Sequence, residues 1–474
     1  MSLHAQITRE IREGPTGSKI GALFDLDQTL LAGFSATSFV RERFVTGRMS
    51  PQELGTTFYG ALSFALGRTG FSALMSATTA AYRGLAESML EEVGEEVFVK
   101  HLAKQIYPEA RAIVQAHQEA GHTVAIISSA TRYQAEPLAR DMGIEHVLCT
   151  ELEVENGVFT GEVVRPTCYG EGKAIAGRVL AEREGLDLEE SYFYTDSHED
   201  LPLLEAVGRP RPLNPNRQLA QIAKERQWPV RRFSSRGRPG VGDLVRTGLT
   251  YASLIPAIWA GAAAGIVNGS YREAINVSRA VWGDVATSLA GIDLRVEGEE
   301  HLWSHRPAVF IFNHQSALDA ILMMKLIRRD VTGIGKMELK KNPIFGPLFT
   351  AAGVVFVDRA NSAGAIEALK PAVEALKEGR SLTIAPEGTR SPTPKLGRFK
   401  KGAFHLAMQA GVPIVPVVFR NVLDAFPKDA RVMRAATIET VVLPPVQTTD
   451  WTVESLDEKI AEIRDAYLDI LHQF

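Results

Sequence analysis

Short apolar runs alternate along this chain with longer stretches whose apolar residues recur at helical spacing. In the first half IGALF is followed by a long helical region, then by EARAIVQAHQEAG, TVAIIS, GKAIAGRVLAERE and SYFYTD. Strand-like and helix-like stretches in this order predict a parallel sheet with helices on both faces. The last part repeats the alternation with AVFIFN, GVVFVDR, SLTIAPEG and VPIVPVVF, yet neither half resembles the other. Between them RRFSSRGRPGVGD has the composition of a linker, so a domain boundary is expected at 234–244.

One segment departs from this pattern. No charged residue occurs from 247 to 271, and LTYASLIPAIWAGAAAGIV approaches the length that crosses a bilayer. Pro256, Gly261, Gly265 and many alanines keep it only moderately apolar. The next stretch aligns Ile275, Ser278, Trp282, Val285 and Leu289 on one stripe, with Arg272, Glu273 and Arg279 elsewhere. Residues 245–290 are therefore expected to form a pair of membrane-contacting helices. Two buried helices of a soluble domain are the alternative.

Composition narrows the classes. The 474 residues suffice for two or three domains, and 45% apolar with 23% charged is an ordinary globular balance. A net charge of −4 provides no global field to recruit nucleic acid. The only cysteines, Cys149 and Cys168, have no CxxC spacing, which argues for a reducing compartment and against a zinc cluster. The N-terminus has no apolar core of the secretory kind, so no signal peptide is expected.

Candidate chemistry gathers where apolar runs end. Asp25 and Asp27 follow IGALF, Ser128 closes TVAIIS, Lys173 opens a helix, and Asp196 and Asp200 follow SYFYT. In an open parallel sheet, ligands collect beyond such strand ends. Carboxylates taken out of water need a partner, and a sparse set of them suits Mg²⁺ beside a phosphate. At these residues the chain resembles the haloacid dehalogenase-like phosphatases, in the branch related to phosphoserine phosphatase. The resemblance covers residues 18–233. It implies Asp25 as nucleophile, Asp27 as general acid and base, and Mg²⁺ held by Asp25, the Asp27 carbonyl and Asp196. It further implies Ser128 and Lys173 on the phosphoryl group, Asp200 as support, and Thr29 steadying the loop. About a hundred residues separate Asp27 from Ser128, more than one crossover needs. The excess, about 33–105, is expected as a helical cap with Arg41, Arg43, Arg48, Arg68 and Arg83 as scattered cations. Ser128-Ser129-Ala130 departs from the usual Ser-Gly-Gly of the serine phosphatases.

The second half carries a different signal. NHQSALD puts His314 and Asp319 five residues apart, a pair that meets only where a loop enters a helix. A carboxylate on one imidazole nitrogen leaves the other as a base. No GxSxG elbow accompanies it, so the base is expected to activate a substrate hydroxyl. Lys336, Arg359 and the APEGTRS segment with Glu387, Gly388, Thr389 and Arg390 follow in order. Together these resemble the glycerolipid acyltransferases typified by 1-acylglycerol-3-phosphate acyltransferase, over 291–474. The resemblance implies that His314 deprotonates the glycerol hydroxyl while Asp319 orients it. Arg359 and Arg390, with Lys336, would grip the acceptor phosphate; Glu387, Gly388 and Thr389 would shape that pocket. Lys340 and Lys400 are candidates to face anionic headgroups, and Val412 to Val417 a strand near the acyl chain.

The expected fold class is α/β throughout: a Rossmann-like parallel-sheet phosphatase domain with a helical cap, a membrane-contacting helix pair, and an α/β acyltransferase domain. The expected activity makes phosphatidic acid from lysophosphatidic acid and an acyl thioester, with acyl-CoA or acyl carrier protein as donor. A phosphatase-like domain that only binds or regulates is the alternative. A membrane-associated location on the cytoplasmic face is expected, with no nucleic-acid partner.

Overall fold

The structure is a computed structural model that describes residues 3–49, 51–66, 68–341, 343, 345–357 and 365–472. The chain forms two compact units, Met1–Arg238 and Pro239–Phe474.

The first unit contains strands β1 (Ile20–Phe24), β2 (Thr123–Thr131), β3 (His146–Thr150), β4 (Leu152–Glu155), β5 (Val158–Val163), β6 (Asp187–Thr195) and β7 (Arg209–Pro212). Five of them make a parallel sheet in the order β3-β2-β1-β6-β7. Every residue of β1 is buried, which is why IGALF reads as an unbroken apolar run. Alternate side chains feed two cores. Phe24, Ile126 and Tyr194 pack on one face, while Leu23, Ala125, Ile127 and Phe193 pack on the other.

The helices Ser35–Val45, Pro51–Ala65, Phe71–Ala80, Glu87–Val97 and Pro108–Glu119 lie between β1 and β2. β4 and β5 form an antiparallel hairpin that the apolar pattern does not distinguish. It pairs its main chain with this helical region: Gly84 N–H donates to the Phe159 carbonyl, and Phe159 N–H to that of Leu85. Arg43 is not a scattered surface cation. It is 1% exposed, pairs with Glu53 at 2.7 Å and lies over the Tyr82 ring.

The second unit holds β8 (Ile292–Glu297), β9 (Val309–Phe312), β10 (Val331–Lys336), β11 (Val355–Val357), β12 (Ser381–Ile384), β13 (Ile414–Phe419) and β14 (Ala436–Val442). They form one sheet in the order β11-β10-β12-β9-β13-β14-β8, parallel except between β13 and β14. β13 is wholly buried between β9 and β14, so Val415 and Val417 are core residues.

Helices Val241–Ala252 and Leu254–Asn268 run on with only Ser253 between them. Among the described residues, Val241–Asn268 is the one helix long and apolar enough to cross a membrane. Thr247, Thr250, Ala257 and Gly261 face inward, whereas Leu244, Ile255, Trp259, Ile266 and Val267 are exposed. Tyr271–Ala290 differs from expectation, because it is packed on two sides. A Cβ on Gly261 would meet Ser278 Oγ at 1.9 Å, and one on Gly283 would meet the Lys325 nitrogen at 2.7 Å. Its buried positions are Asn276, Gly283, Ala286, Thr287 and Ala290. The stripe expected from its larger side chains is not the buried one, since small residues set the close approach.

Candidate active sites

In the first unit the chain leaves β1 directly into Asp25, whose N–H donates to the Tyr194 carbonyl of β6. Lys173 stands on the first turn of helix Glu171–Glu184. That turn rests against the preceding loop so closely that a Cβ on Gly172 would lie 1.9 Å from the Thr167 carbonyl oxygen. Lys173 Nζ thereby reaches Asp25 Oδ1 at 2.9 Å and Asp200 Oδ2 at 2.7 Å, with all three residues buried. Thr195 adds a hydroxyl to the same Asp200 oxygen at 2.5 Å. Burial alone would discharge the ammonium; its two carboxylate partners instead push the Lys173 pKa up.

Asp27 turns its carboxylate to the start of helix Ser35–Val45. Ser35 donates its N–H at 2.8 Å and its hydroxyl at 3.1 Å. Burial nevertheless raises the Asp27 pKa to about 7, against those hydrogen bonds. A carboxyl held near neutrality exchanges a proton in either direction. Asp196, just past β6, is pushed up to about 8 by burial and by the charges of Asp25 and Asp200. Asp25 itself is raised by burial, opposed by Lys173.

This donor set fits a divalent cation. Asp25 and Asp196 repel one another in a buried site, and a cation between them would relieve that repulsion. Among the described residues no three Asp, Glu, His or Cys side chains converge as metal ligands. The set implied by resemblance is sparser, two carboxylates and the Asp27 carbonyl, as suits an ion that keeps several waters. Ser128 is buried near the end of β2, and its Oγ accepts the Ala130 N–H. Thr29 differs from expectation: its buried hydroxyl finds no hydrogen-bond partner among the described residues, so it packs without tethering the loop.

In the second unit β9 ends at Phe312, and Asn313 turns the chain out of the sheet. Its amide donates to the Phe419 carbonyl and accepts the Phe419 N–H, at 2.9 and 2.8 Å. His314 follows, and Asp319 is the second residue of helix Leu318–Ile327. His314 Nδ1 lies 2.8 Å from Asp319 Oδ2. That oxygen also accepts the Gln315 and Ser316 N–H groups, each at 2.9 Å. An oxygen that already accepts two N–H groups makes Nδ1 the donor, which leaves Nε2 as the basic nitrogen. Asp319 is wholly buried, while His314 retains solvent access.

Glu387 joins two loops here. Oε1 accepts the His314 N–H at 2.7 Å, and Oε2 accepts the Gly397 N–H at 2.8 Å. The Ser391 N–H donates to the His314 carbonyl at 2.7 Å. Burial raises the Glu387 pKa against those bonds. Glu387 thus positions His314, a role more specific than the expected shaping of a pocket. Gly388 sits at φ +77, and a Cβ there would meet Lys400 Nζ at 2.9 Å. Lys400 therefore covers the Gly388 turn. Thr389 and Arg390 follow, and Arg390 lies 3.3 Å from Asp429. Lys336 ends β10, but its side chain lies outside the described residues, as does Arg359 altogether. Sequence reasoning missed Ser35, Thr195 and Asn313. Their bonds join positions far apart in the chain or leave no spacing signature.

Two family models match. Residues 22–205 match the haloacid dehalogenase-like hydrolase model, and 293–420 match the acyltransferase model. A protein named 1-acyl-sn-glycerol-3-phosphate acyltransferase from Limnanthes douglasii is 37% identical over 187 residues, 39% of this chain and 66% of that protein. This chain thus spans just under two thirds of that relative. A protein named a probable phosphatase from Mycobacterium tuberculosis is 34% identical over 220 residues, 46% of this chain and 76% of its own length. The crystal structure of the 1-acyl-sn-glycerophosphate acyltransferase from Thermotoga maritima is 24% identical, with a TM-score of 0.41 over 48% of this chain and 97% of that one. The chain belongs to the haloacid dehalogenase-like hydrolases through its first unit, and its second unit is similar to the acyltransferase family over residues 293–420.

Proposed function

We propose that the second unit transfers an acyl group from acyl-CoA or acyl carrier protein to 1-acylglycerol-3-phosphate, giving phosphatidic acid. The observation that carries this reading is the His314–Asp319 pair with its basic Nε2. Nε2 takes the proton of the glycerol hydroxyl as that oxygen attacks the thioester carbonyl. The C–O bond forms, the C–S bond breaks, and the proton passes to the leaving thiolate. Arg390 holds the acceptor phosphate through its planar fork.

The first unit acts in this reading as a phosphomonoester hydrolase. Asp25 attacks phosphorus to form an aspartyl-phosphate while Asp27 protonates the leaving oxygen. Asp27 then takes a proton from the attacking water, a reversal that suits its pKa of about 7. Mg²⁺, when bound by Asp25, Asp196 and the Asp27 carbonyl, supplies charge neutralisation for the phosphoryl oxygens. Lys173 and Ser128 bind the same oxygens. The exposed apolar face of Val241–Asn268 supports contact with a membrane on its cytoplasmic side, where the lipid acceptor resides.

The test is acyl transfer by the purified chain to 1-acylglycerol-3-phosphate. His314→Ala should lower turnover by about 100-fold or more while circular dichroism stays unchanged. Full turnover by that variant would overturn the mechanism.

A further inference from the structure

In the second unit, β9, β10 and β12 run parallel, and His314 and Glu387 lie beyond their carboxyl ends. A cleft of about 230 Å³ opens at the opposite, amino-terminal end of these strands, where Asp330 and Arg380 precede β10 and β12. It is therefore separate from the acyl-transfer site. Arg279, from helix Tyr271–Ala290, forms its floor. Its guanidinium donates to the main-chain carbonyls of Val331 and Ala352, and among the described residues it forms no ion pair.

The surroundings are unbalanced in charge. Arg272, Arg329 and Arg380 pair with the carboxylates of Asp330, Glu273 and Glu378, while Arg279 and Arg306 donate to main-chain carbonyls. Burial and the nearby Arg380 charge lower the Arg279 pKa to about 10. Arg306 is lowered by burial and by repulsion from Arg329 and Arg272. Such a cluster favours an added anion, and guanidinium forks match phosphate oxygens. Tyr271 lines the cleft, and the turn just before it carries exposed apolar side chains. Ile266, Val267 and Tyr271, at the turn leading into this helix, are 83%, 84% and 67% exposed.

We propose that this cleft binds the phosphate of an anionic phospholipid whose acyl chains lie beside Ile266 and Val267, at a site distinct from the catalytic one. The inference rests on the membrane contact proposed above and adds headgroup selection to it. Apolar side chains alone would bind zwitterionic and anionic bilayers alike. The arginine cleft makes the bound surface anionic by preference.

Sedimentation of the full chain tests this with vesicles of phosphatidylcholine alone and of phosphatidylcholine with phosphatidylglycerol. Wild type should bind the anionic vesicles at least about tenfold more tightly. Arg272→Gln/Arg380→Gln and, separately, Arg279→Gln should lose that preference and keep their phosphatidylcholine binding. Thermal melts establish that each variant is folded. Arg295→Gln, on the edge strand β8, should keep the preference. If wild type binds both vesicles equally, or if the cleft variants keep the preference or Arg295→Gln loses it, the cleft is not the headgroup site and the inference falls alone. If wild type pellets with neither vesicle, the membrane reading falls with it. Calorimetry with inorganic phosphate separates the sources. Binding of phosphate that depends on Arg279, without any vesicle preference, would assign the cleft to a soluble phosphate and overturn the lipid proposal.

Discussion

Lys173 shows how much one side chain settles at the residue scale. It bridges Asp25 and Asp200 at once, so the proposed nucleophile is held in place by the fold itself. Asp25→Asn should abolish phosphate release from a panel of phosphomonoesters, and Asp27→Asn should slow it by about 100-fold. Colorimetric phosphate assays check both; residual full activity in Asp25→Asn would remove the aspartyl-phosphate mechanism. Arg390→Ala should raise the acceptor KM about tenfold or more with little change in kcat, as expected for loss of a phosphate contact. These residues were legible because their chemistry demands fixed types at fixed spacings. Ser35, which holds Asp27, and Thr195, which holds Asp200, carry no such mark. A serine at a helix start and a threonine at a strand end are ordinary choices there, and only folding brings them to a carboxylate.

Strand and helix identities were legible wherever one element is buried on a consistent face. β1, β9 and β13 are wholly buried and stand out as apolar runs. β8, β4 and β5 mix charged or polar residues into their runs, as IDLRVE, LEVE and VFTGEV, so none stands out as an apolar run. Helix Tyr271–Ala290 misled for a related reason: its contacts use Gly, Ala and Thr, which hydropathy periodicity weighs lightly. Helix Val241–Asn268 keeps its large apolar residues outside. Trp259→Glu, on that outer face, should shift the protein from vesicle pellet to supernatant without lowering its melting temperature. In the helical region of the first unit, Arg43→Ala would remove a buried cation that pairs with Glu53 and lies over the Tyr82 ring. A loss of about 3 kcal/mol in denaturant unfolding is expected.

At the scale of the whole chain, the two-unit organisation was legible from its composition break, whereas each unit's stability depends on buried polar groups that only the structure reveals. His117 is one of these. His122 Nε2 lies 2.9 Å from the Pro15 carbonyl and so carries its proton there; His122 Nδ1 then accepts from His117 Nδ1 at 2.7 Å. His117 Nε2 is left to accept the Tyr194 hydroxyl at 2.9 Å. Burial, His122 and Arg211 hold the His117 pKa well below its ordinary value. The folded first unit therefore refuses a proton that the unfolded chain accepts below about pH 6.5, and stability falls as pH falls through that range. Urea midpoints measured from pH 7.5 to 5 should drop, with His117 contributing up to about 1.4 kcal/mol per pH unit. A His117→Gln chain should show a shallower acid limb. In the proposed reading the two sites also share a chemistry, since one would remove phosphate while the other would use it as a handle. Proximity on one chain raises the local concentration of either product. Mg²⁺-dependent phosphate release from lysophosphatidic or phosphatidic acid, lost in Asp25→Asn, would link them; activity confined to small polar phosphomonoesters would separate them.

Asn313 completes the β9–β13 ladder with a side chain where the main chain would ordinarily supply the last rung. Its own backbone is thereby released one residue early, and His314 swings clear of the sheet while the sheet end stays sealed. The substitution Asn313→Asp is nearly isosteric, yet it replaces the donor facing the Phe419 carbonyl with an acceptor. Two oxygens would then oppose each other in a site that is wholly buried, and the exit of His314 would lose its hinge pin. A single atom at the end of β9 thus decides whether His314 can be presented at all.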